Sequence, residues 1–503
     1  MENKTLTHYL QQNVEQLEVL FLNCGDIVKR KITVGGDYKT DIFISYADNM
    51  VDRQLLQEHV IQNLVKLAQL PAEKQFAYIK DHALESADIK EQYTFDAITQ
   101  AIMSGDVALL IDGFDKALII SLRSYPNRGI AAVETEVTVR GAKDSFTEVA
   151  AFNKVLIRRR IKDTHLKMES LQVGTRSRTD ITVTYMDGIA QQPMVQELKK
   201  RISSFTIDGI FDIGMLEQLI ESEWYSPFPQ FQSTERPDKT ASALLEGRIA
   251  ILVDNSPMAL LLPATLNSFF QASDDYYNRR GIVAFIRVLR YLAAFLSFCL
   301  PGLYVAVTNY QPELVPTSLA LSFAAARQGV PFSILLEMII MLISFELLTE
   351  AGIRLPSPMG NTIGIVGGLI IGDAAVNANL ASPMAVIIVA ATAIASFTIP
   401  NETFSSAFRL IKYPVLLFSV FLGLYGFVIG VMLVLIHLAD LKSFGIPYLS
   451  PYVAADLETS GSSGDTIRKK PIFWLIYRPI YANPGQKRRL SGYRKENMKQ
   501  TGR

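Results

Sequence analysis

The stretch TDITVTYMDG at residues 179–188 alternates polar and apolar side chains, the pattern of a β-strand with one dry face. Nearly the same words occur earlier, as TDIFISYADN at residues 40–49. The echo continues downstream: GDVALLIDG at 105–113 runs into Ala117 and Leu118, and GRIAILVDN at 247–255 runs into Ala259 and Leu260. Aligning Asp41 with Asp180, Tyr46 with Tyr185, Gly105 with Gly247 and Asp112 with Asp254 gives one shared offset of about 140 residues, far longer than any solenoid period. Two ordered matches at one spacing predict a duplicated α/β unit. Strand-end structure accounts for Tyr46, Asp48, Tyr185 and Asp187 better than ligand contact does.

Helices fill the space between these strands. From Val51, VDRQLLQEHVIQNLVKLAQL sets Leu55, Leu56, Val60, Leu64 and Leu67 on one helical stripe. QYTFDAITQAIMSG at 92–105 is a second helix, closed by Gly105 ahead of the strand pair VALLID and KALIIS. In the second copy a helix begins near residue 145, with Ser145 or Asp144 as cap and Glu148 in capping-box position after Ser145. Its arginines, IRRRIK at 157–162, lie opposite Phe146, Val149 and Val155 and read as a solvated or subunit-facing stripe. Prolines 227, 229 and 237 predict an extended connector without regular structure before the chain changes character.

That change is in charge. Of 503 residues, 49% are hydrophobic and only 19% charged, with Lys+Arg and Asp+Glu balanced at 49 each, so the net charge gives no footprint for nucleic acid. Ionised side chains crowd the first 280 positions or so and the last 40 or so, leaving a long apolar stretch between them. The expected architecture is a duplicated α/β (α+β) soluble domain followed by an all-α polytopic membrane domain. Its divisions fall at 1–130, 131–275, 276–440 and a basic tail, 441–503. Five apolar segments stand out, 281–307, 331–349, 362–376, 383–399 and 414–438, the last being the longest and most lipid-like. A sixth, 314–326, is too short to cross about 30 Å of hydrocarbon as a plain helix. Arg279, Arg280, Arg287 and Arg290 at the first span place the front domain in the cytoplasm, and the basic tail belongs on the same side. The absence of a signal-like start agrees. Both ends on one side require an even number of crossings. Either the 314–326 segment crosses as a broken helix or one glycine-rich segment is re-entrant.

Gly364, Gly368 and Gly372 recur every four residues, the close-packing pattern of helices in lipid. Asp373, Asn377 and Asn379 follow at the end of that run, and Glu337 lies well inside its own. A carboxylate at membrane depth costs roughly 2.5–3.5 kcal/mol, so it must face protein or water. Glu337 therefore either lines a pore as a ring in a symmetric oligomer or pairs with Arg327 or Arg354 in its own chain; a headgroup location is the third option. Glu346, Glu350 and Arg354 read as an interfacial network. No P-loop, dinucleotide fingerprint, nucleophile elbow or metalloprotease helix occurs, and the five histidines show no ligand spacing. No enzyme, cofactor or metal is expected. Cys24 and Cys299 are not placed to pair with each other. The membrane part lacks the paired repeats of a transporter.

The motifs SPFPQFQSTERPDKTASALLEGRIAILVDNSP, DDYYNR, AGIRLPSPMGNTIGIVGGLIIGDAAVNANLASP, ASFTIPNETF and FGIPYLSP resemble, in order and across residues 10–455 or so, the A subunits of GerA-type nutrient germinant receptors of spore-forming bacteria. The resemblance implies an integral protein of the spore inner membrane that works with a permease-like B subunit and a lipoprotein C subunit. It further implies a homo-oligomer, a pentamer, acting as a ligand-gated cation channel in germination. It offers no catalytic residues. Pro227, Pro229, Glu235, Arg236, Pro237, Asp238, Asp274, Asp275 and Tyr276 match motif positions and read as architectural. The stage V sporulation AF proteins share these motifs and stand as the alternative, as does a non-conducting scaffold.

Overall fold

The computed structural model describes residues 4–34, 39–62, 64, 89–124, 133, 135–138, 140–354, 368, 372–453, 465–467 and 469–490. Leu67 and Gly364 lie outside them. The chain divides into a front unit, Met1–Ser222 with Phe231–Pro263 and Leu475–Arg503, and a helical unit, Glu223–Gln230 with Ala264–Trp474.

In the front unit, helix α1 (Leu10–Leu20) precedes strands β1 (Ile27–Val34), β2 (Thr40–Ala47) and β3 (Ile89–Gln92), helix α2 (Phe95–Met103), and strands β4 (Val107–Ile111) and β5 (Ala117–Ile120). The second copy supplies α3 (Ala150–Arg158), β6 (Leu166–Val173), β7 (Thr179–Met186), α4 (Gln192–Ser203), α5 (Ile213–Ile220), β8 (Gln232–Thr234), α6 (Pro237–Leu245), β9 (Ile249–Val253) and β10 (Ala259–Leu262). The sheets run β1-β2-β4-β5-β3 and β6-β7-β9-β10-β8, one order used twice. Central strands β4 and β9 are buried throughout, as unbroken apolar runs require.

The duplication reaches individual hydrogen bonds. Neither α1 nor α3 carries a capping side chain of its own. Instead Asp112, after β4, accepts the Leu10 N–H at 3.0 Å, and Asp254, after β9, accepts the Ala150 N–H at 3.0 Å. Each aspartate satisfies a helix donor that would otherwise be orphaned. Asn13 and Asn153 accept the backbone N–H of Thr7 and Thr147, at 2.9 and 2.8 Å. The expected caps of α3 are therefore corrected: Ser145 donates to the Glu235 carbonyl and Asp144 holds Arg160 at 2.7 Å.

Three further expectations change. Residues 53–61 continue from one α-turn into the wider π-helical Leu56–Ile61, so Leu55 turns out to solvent while Leu56, Val60 and Leu64 stay buried. The proline connector is irregular through Pro227 and Pro229, as expected, but regular beyond them: β8 pairs with β10, and Pro237 opens α6 at a position where a missing N–H costs nothing. Arg158 is not solvated. It is buried against Asp26, with two charge-assisted bonds of 2.7 and 2.8 Å, and donates at 3.0 Å to the Leu166 carbonyl. This joins the two copies where Gly25 and Asn23 also exchange backbone bonds with Met168.

The helical unit contains α7 (Arg280–Tyr310), α8 (Thr317–Ala326), α9 (Ile334–Arg354), α10 (Pro383–Phe397) and α11 (Glu402–Asp440). By length and composition α7 and α11 are long and apolar enough to cross a membrane. Yet α11 is not one straight rod. Gly423 leaves the helical region at φ 63°, ψ −139°. Beyond it Gly426 abuts the Phe418 backbone, and a Cβ on Gly430 would sit 3.3 Å from the Val415 Cα. Fifteen residues of straight helix would separate that last pair by about 22 Å. The segment 414–438, expected as a single span, is thus folded back on itself. Leu438, Val434, Val431 and Phe427 accordingly share one core with Phe404, Phe408, Ile411 and Val415.

The first arm of α11 runs beside α7 in the same direction. Phe298 stacks on Phe408 at 5.4 Å, Gly302 meets Ser419 and Val415, and the Tyr310 hydroxyl donates to the Val420 carbonyl near the fold-back. Helices α9 and α10 are also parallel to each other, Glu337 meeting Ser382 at their starts and Phe345 meeting Phe397 further along.

Candidate functional site in the helical unit

Glu337 sits in the first turn of α9 and is fully buried. One of its oxygens, Oε1, accepts both the backbone N–H of Ser382, at 2.5 Å, and the Ser382 hydroxyl. Ser382 is the N-cap of α10, and its Oγ in turn accepts the Ala385 N–H at 3.3 Å. The carboxylate is thereby seated on a helix N-terminus, where unpaired N–H groups and the macrodipole favour negative charge. Arg327 approaches the other oxygen, Nε to Oε2 3.7 Å, within ion-pair reach but beyond a hydrogen bond. The buried Tyr304 lies in the same electrostatic group. Of the two cations weighed for Glu337, Arg327 is the one beside it; the Arg354 side chain lies outside the described residues.

The other sequence candidates are arranged differently. Asp373 and Asn377, one turn apart, are exposed in the single chain, as is Asn379, which adopts a left-handed φ of 52°. A Cβ on Gly372 would lie 3.5 Å from Val386 of α10, and one on Gly368 would lie 4.0 Å from Leu348.

Sequence reasoning missed a second charged group. Besides its expected grouping with Glu350 and Arg354, Glu346 holds Lys412 of α11 at 2.6 Å and has Arg409 at 3.7 Å. The Lys412 side chain is only 4% exposed. The available signal was the spacing of Arg409 and Lys412, three apart on one helix face just ahead of Pro414. Beginning the span at Pro414 hid it. Two of the carboxylates of α9, Glu337 and Glu346, are therefore each clamped to a different neighbouring helix.

At the start of α7 the expected positive signal is partly neutralised. Arg287, fully buried, bonds Asp275 at 2.8 Å and Asp465 at 2.9 Å, and Arg290 reaches Asp275 at 2.9 Å. Arg279 and Arg280 remain exposed. Cys24 and Cys299 are both free, buried thiols.

The GerA family, described as Bacillus/Clostridium GerA spore germination protein, matches residues 15–481. The chain belongs to the GerA family. Among its relatives, spore germination protein KA of Bacillus subtilis (strain 168) is 38% identical, over 88% of this chain and 81% of that one. Spore germination protein GerLA of Bacillus cereus is 38% identical, over 86% and 87%. Stage V sporulation protein AF of B. subtilis (strain 168) is 31% identical, over 85% and 86%. Among solved structures, the N-terminal domain of the A subunit of the Bacillus megaterium spore germinant receptor GerK3 aligns with 53% of this chain and 99% of its own, at 30% identity and a TM-score of 0.43. The relatives of this GerA-family chain are thus named as proteins of spore germination and sporulation.

Proposed function

We propose that this GerA-family protein is an A subunit of a nutrient germinant receptor and forms a gated cation channel in the spore inner membrane as a homo-oligomer, a pentamer. Its partners are a permease-like B subunit and a lipoprotein C subunit, and its front unit is cytoplasmic. The observation that carries the reading is the exposure of Asp373 and Asn377 on one turn of a segment flanked by membrane helices. An exposed carboxylate there requires water or a neighbouring copy, and a ring of such groups attracts cations. Glu337 serves this channel as a clamp between α9 and α10, closing the gate from within the chain.

The fold-back in α11 supports six crossings. The two arms of α11 run in opposite directions and add one crossing in each. Both termini then lie on one side, in keeping with Asp465 of the tail bonding Arg287 at the start of α7.

Native mass measurement in detergent, followed by potassium and sodium flux from liposomes carrying the purified chain, tests the proposal. The expected result is a closed oligomer whose flux falls, with weakened cation preference, in Asp373→Asn. A monomer, or an oligomer silent with its partner subunits and nutrient present, rejects the channel and leaves the scaffold.

A further inference from the structure

The two copies of the front unit differ in what lies beside one turn. In the first copy the chain following β5 returns along the turn after β2: Val51 bridges Arg123, the Asp52 N–H donates to the Leu122 carbonyl at 2.9 Å, and the Ser124 N–H to the Met50 carbonyl at 2.9 Å. In the second copy the chain following β10 leaves the unit at Pro263. The matching place beside the turn after β7 cannot be filled by that continuation. A segment from the far end of the sequence occupies it instead.

Ala482 bridges Ala190, the Asn483 N–H donates to the Ile189 carbonyl at 2.7 Å, and the Gln191 side-chain amide donates to the Ile480 carbonyl at 3.2 Å. The turn between α6 and β9 forms the other wall. Gly247 there has φ 99°, and a Cβ on it would come within 2.9 Å of the Ala482 Cα, so the close approach needs both small residues. Arg478 donates to the Leu245 carbonyl at 2.8 Å, and Arg489 and Tyr481 reach the Glu246 carboxylate at 3.1 and 3.4 Å. The segment itself is a small hairpin closed by a bridge from Tyr477 to Arg488.

We propose that the Ile189–Ala190 edge and the Glu246–Gly247 turn form an acceptor groove for an extended, cation-bearing segment with a small residue at its centre, filled in cis by residues 475–490 as a releasable strap. The groove is the counterpart of one that the first copy closes with its own continuing chain. The ion pair holds little, Arg489 and Glu246 being 37% and 19% exposed, so release costs mainly the burial of Ala482 and a handful of hydrogen bonds. Lys487, Arg488 and Arg489 make the strap a trypsin substrate once it lifts.

The test uses the full chain in detergent, with brief trypsin treatment and mass analysis of cleavage at 487–489. Ala482→Leu, which pushes a side chain into Gly247, should speed this cleavage about tenfold, because proteolysis follows the open population. Arg489→Glu should do the same, and Glu246→Arg added to it should restore protection. A fluorescent peptide of residues 475–490 should bind the Ala482→Leu chain, whose groove is vacated, and not the wild type; the peptide carrying Ala482→Leu should bind neither. Equal cleavage of wild type and both single variants, or a vacated chain that takes up no peptide, overturns the proposal.

Discussion

Arg158 and its neighbour Arg159 follow one another in an arginine-rich helix end, yet one is sealed against Asp26 and the other is exposed. Of the apolar residues expected opposite the arginines, Val155 on α3 and Phe146 ahead of it are buried while Val149 is exposed; Asp26 lies 132 residues away and no local pattern names it. Asp26→Asn should lower unfolding stability by about 3–5 kcal/mol in urea titrations, since it strands a buried guanidinium, whereas Asp163→Asn on the exposed His165 contact should change it by less than about 1 kcal/mol. Glu217 is a different kind of residue-scale effect. Burial, then Glu221 and Asp212, push its carboxyl up from 4.5 to about 7. Between those values the folded chain holds a proton that the unfolded chain has released, so stability falls as pH rises through that window and the loss is complete above about 7. Thermal unfolding at pH 5 and pH 8 should differ by on the order of 2–3 kcal/mol more in wild type than in Glu217→Gln.

Helix α11 shows why an element can be legible in type and wrong in path. Residues 414–438 hold no Asp, Glu, Lys or Arg, so hydropathy alone returns one span. A reversal within such a run demands that freed backbone groups find partners, and the Tyr310 hydroxyl supplies one to the Val420 carbonyl. Gly423 supplies the left-handed φ, while Gly426 and Gly430 let the arms touch; in the sequence these glycines are indistinguishable from ordinary close-packing positions. The geometry predicts a cross-link. A Cβ on Gly430 would stand 3.6 Å from the Val415 Cβ, within the range a disulfide needs. The double variant Val415→Cys, Gly430→Cys should therefore oxidise to an intramolecular disulfide, read as a mobility shift reversed by reductant. Reduced monomer persisting under oxidant, with cross-linked pairs of chains alone, would show a straight helix instead.

For the whole molecule, the repeated words at 40–49 and 179–188 were enough to expect two equivalent sheets, because strand alternation and a shared offset are written in local sequence. The partners of the membrane carboxylates were not, because they depend on which helices run parallel. Glu337 in the first turn of α9 meets Ser382, the N-cap of α10, and this parallel start makes a carboxylate in a buried seam tolerable. Glu337→Gln keeps an oxygen to accept from Ser382 but removes the charge that Arg327 and the α10 N-terminus stabilise. Charge-assisted hydrogen bonds are roughly twice as strong as neutral ones, so the loss should be about 1–2 kcal/mol. If the clamp holds the closed state of the proposed channel, a bias of that size raises the open population about tenfold. Liposomes carrying Glu337→Gln should then leak potassium about tenfold faster without nutrient than wild type at equal oligomer content. A pore-lining Glu337 predicts the reverse pattern, unchanged resting leak with reduced flux on activation, and a purely structural role predicts a lower unfolding temperature with neither change. Resting leak, activated flux and melting measured on one preparation therefore separate clamp, pore wall and scaffold.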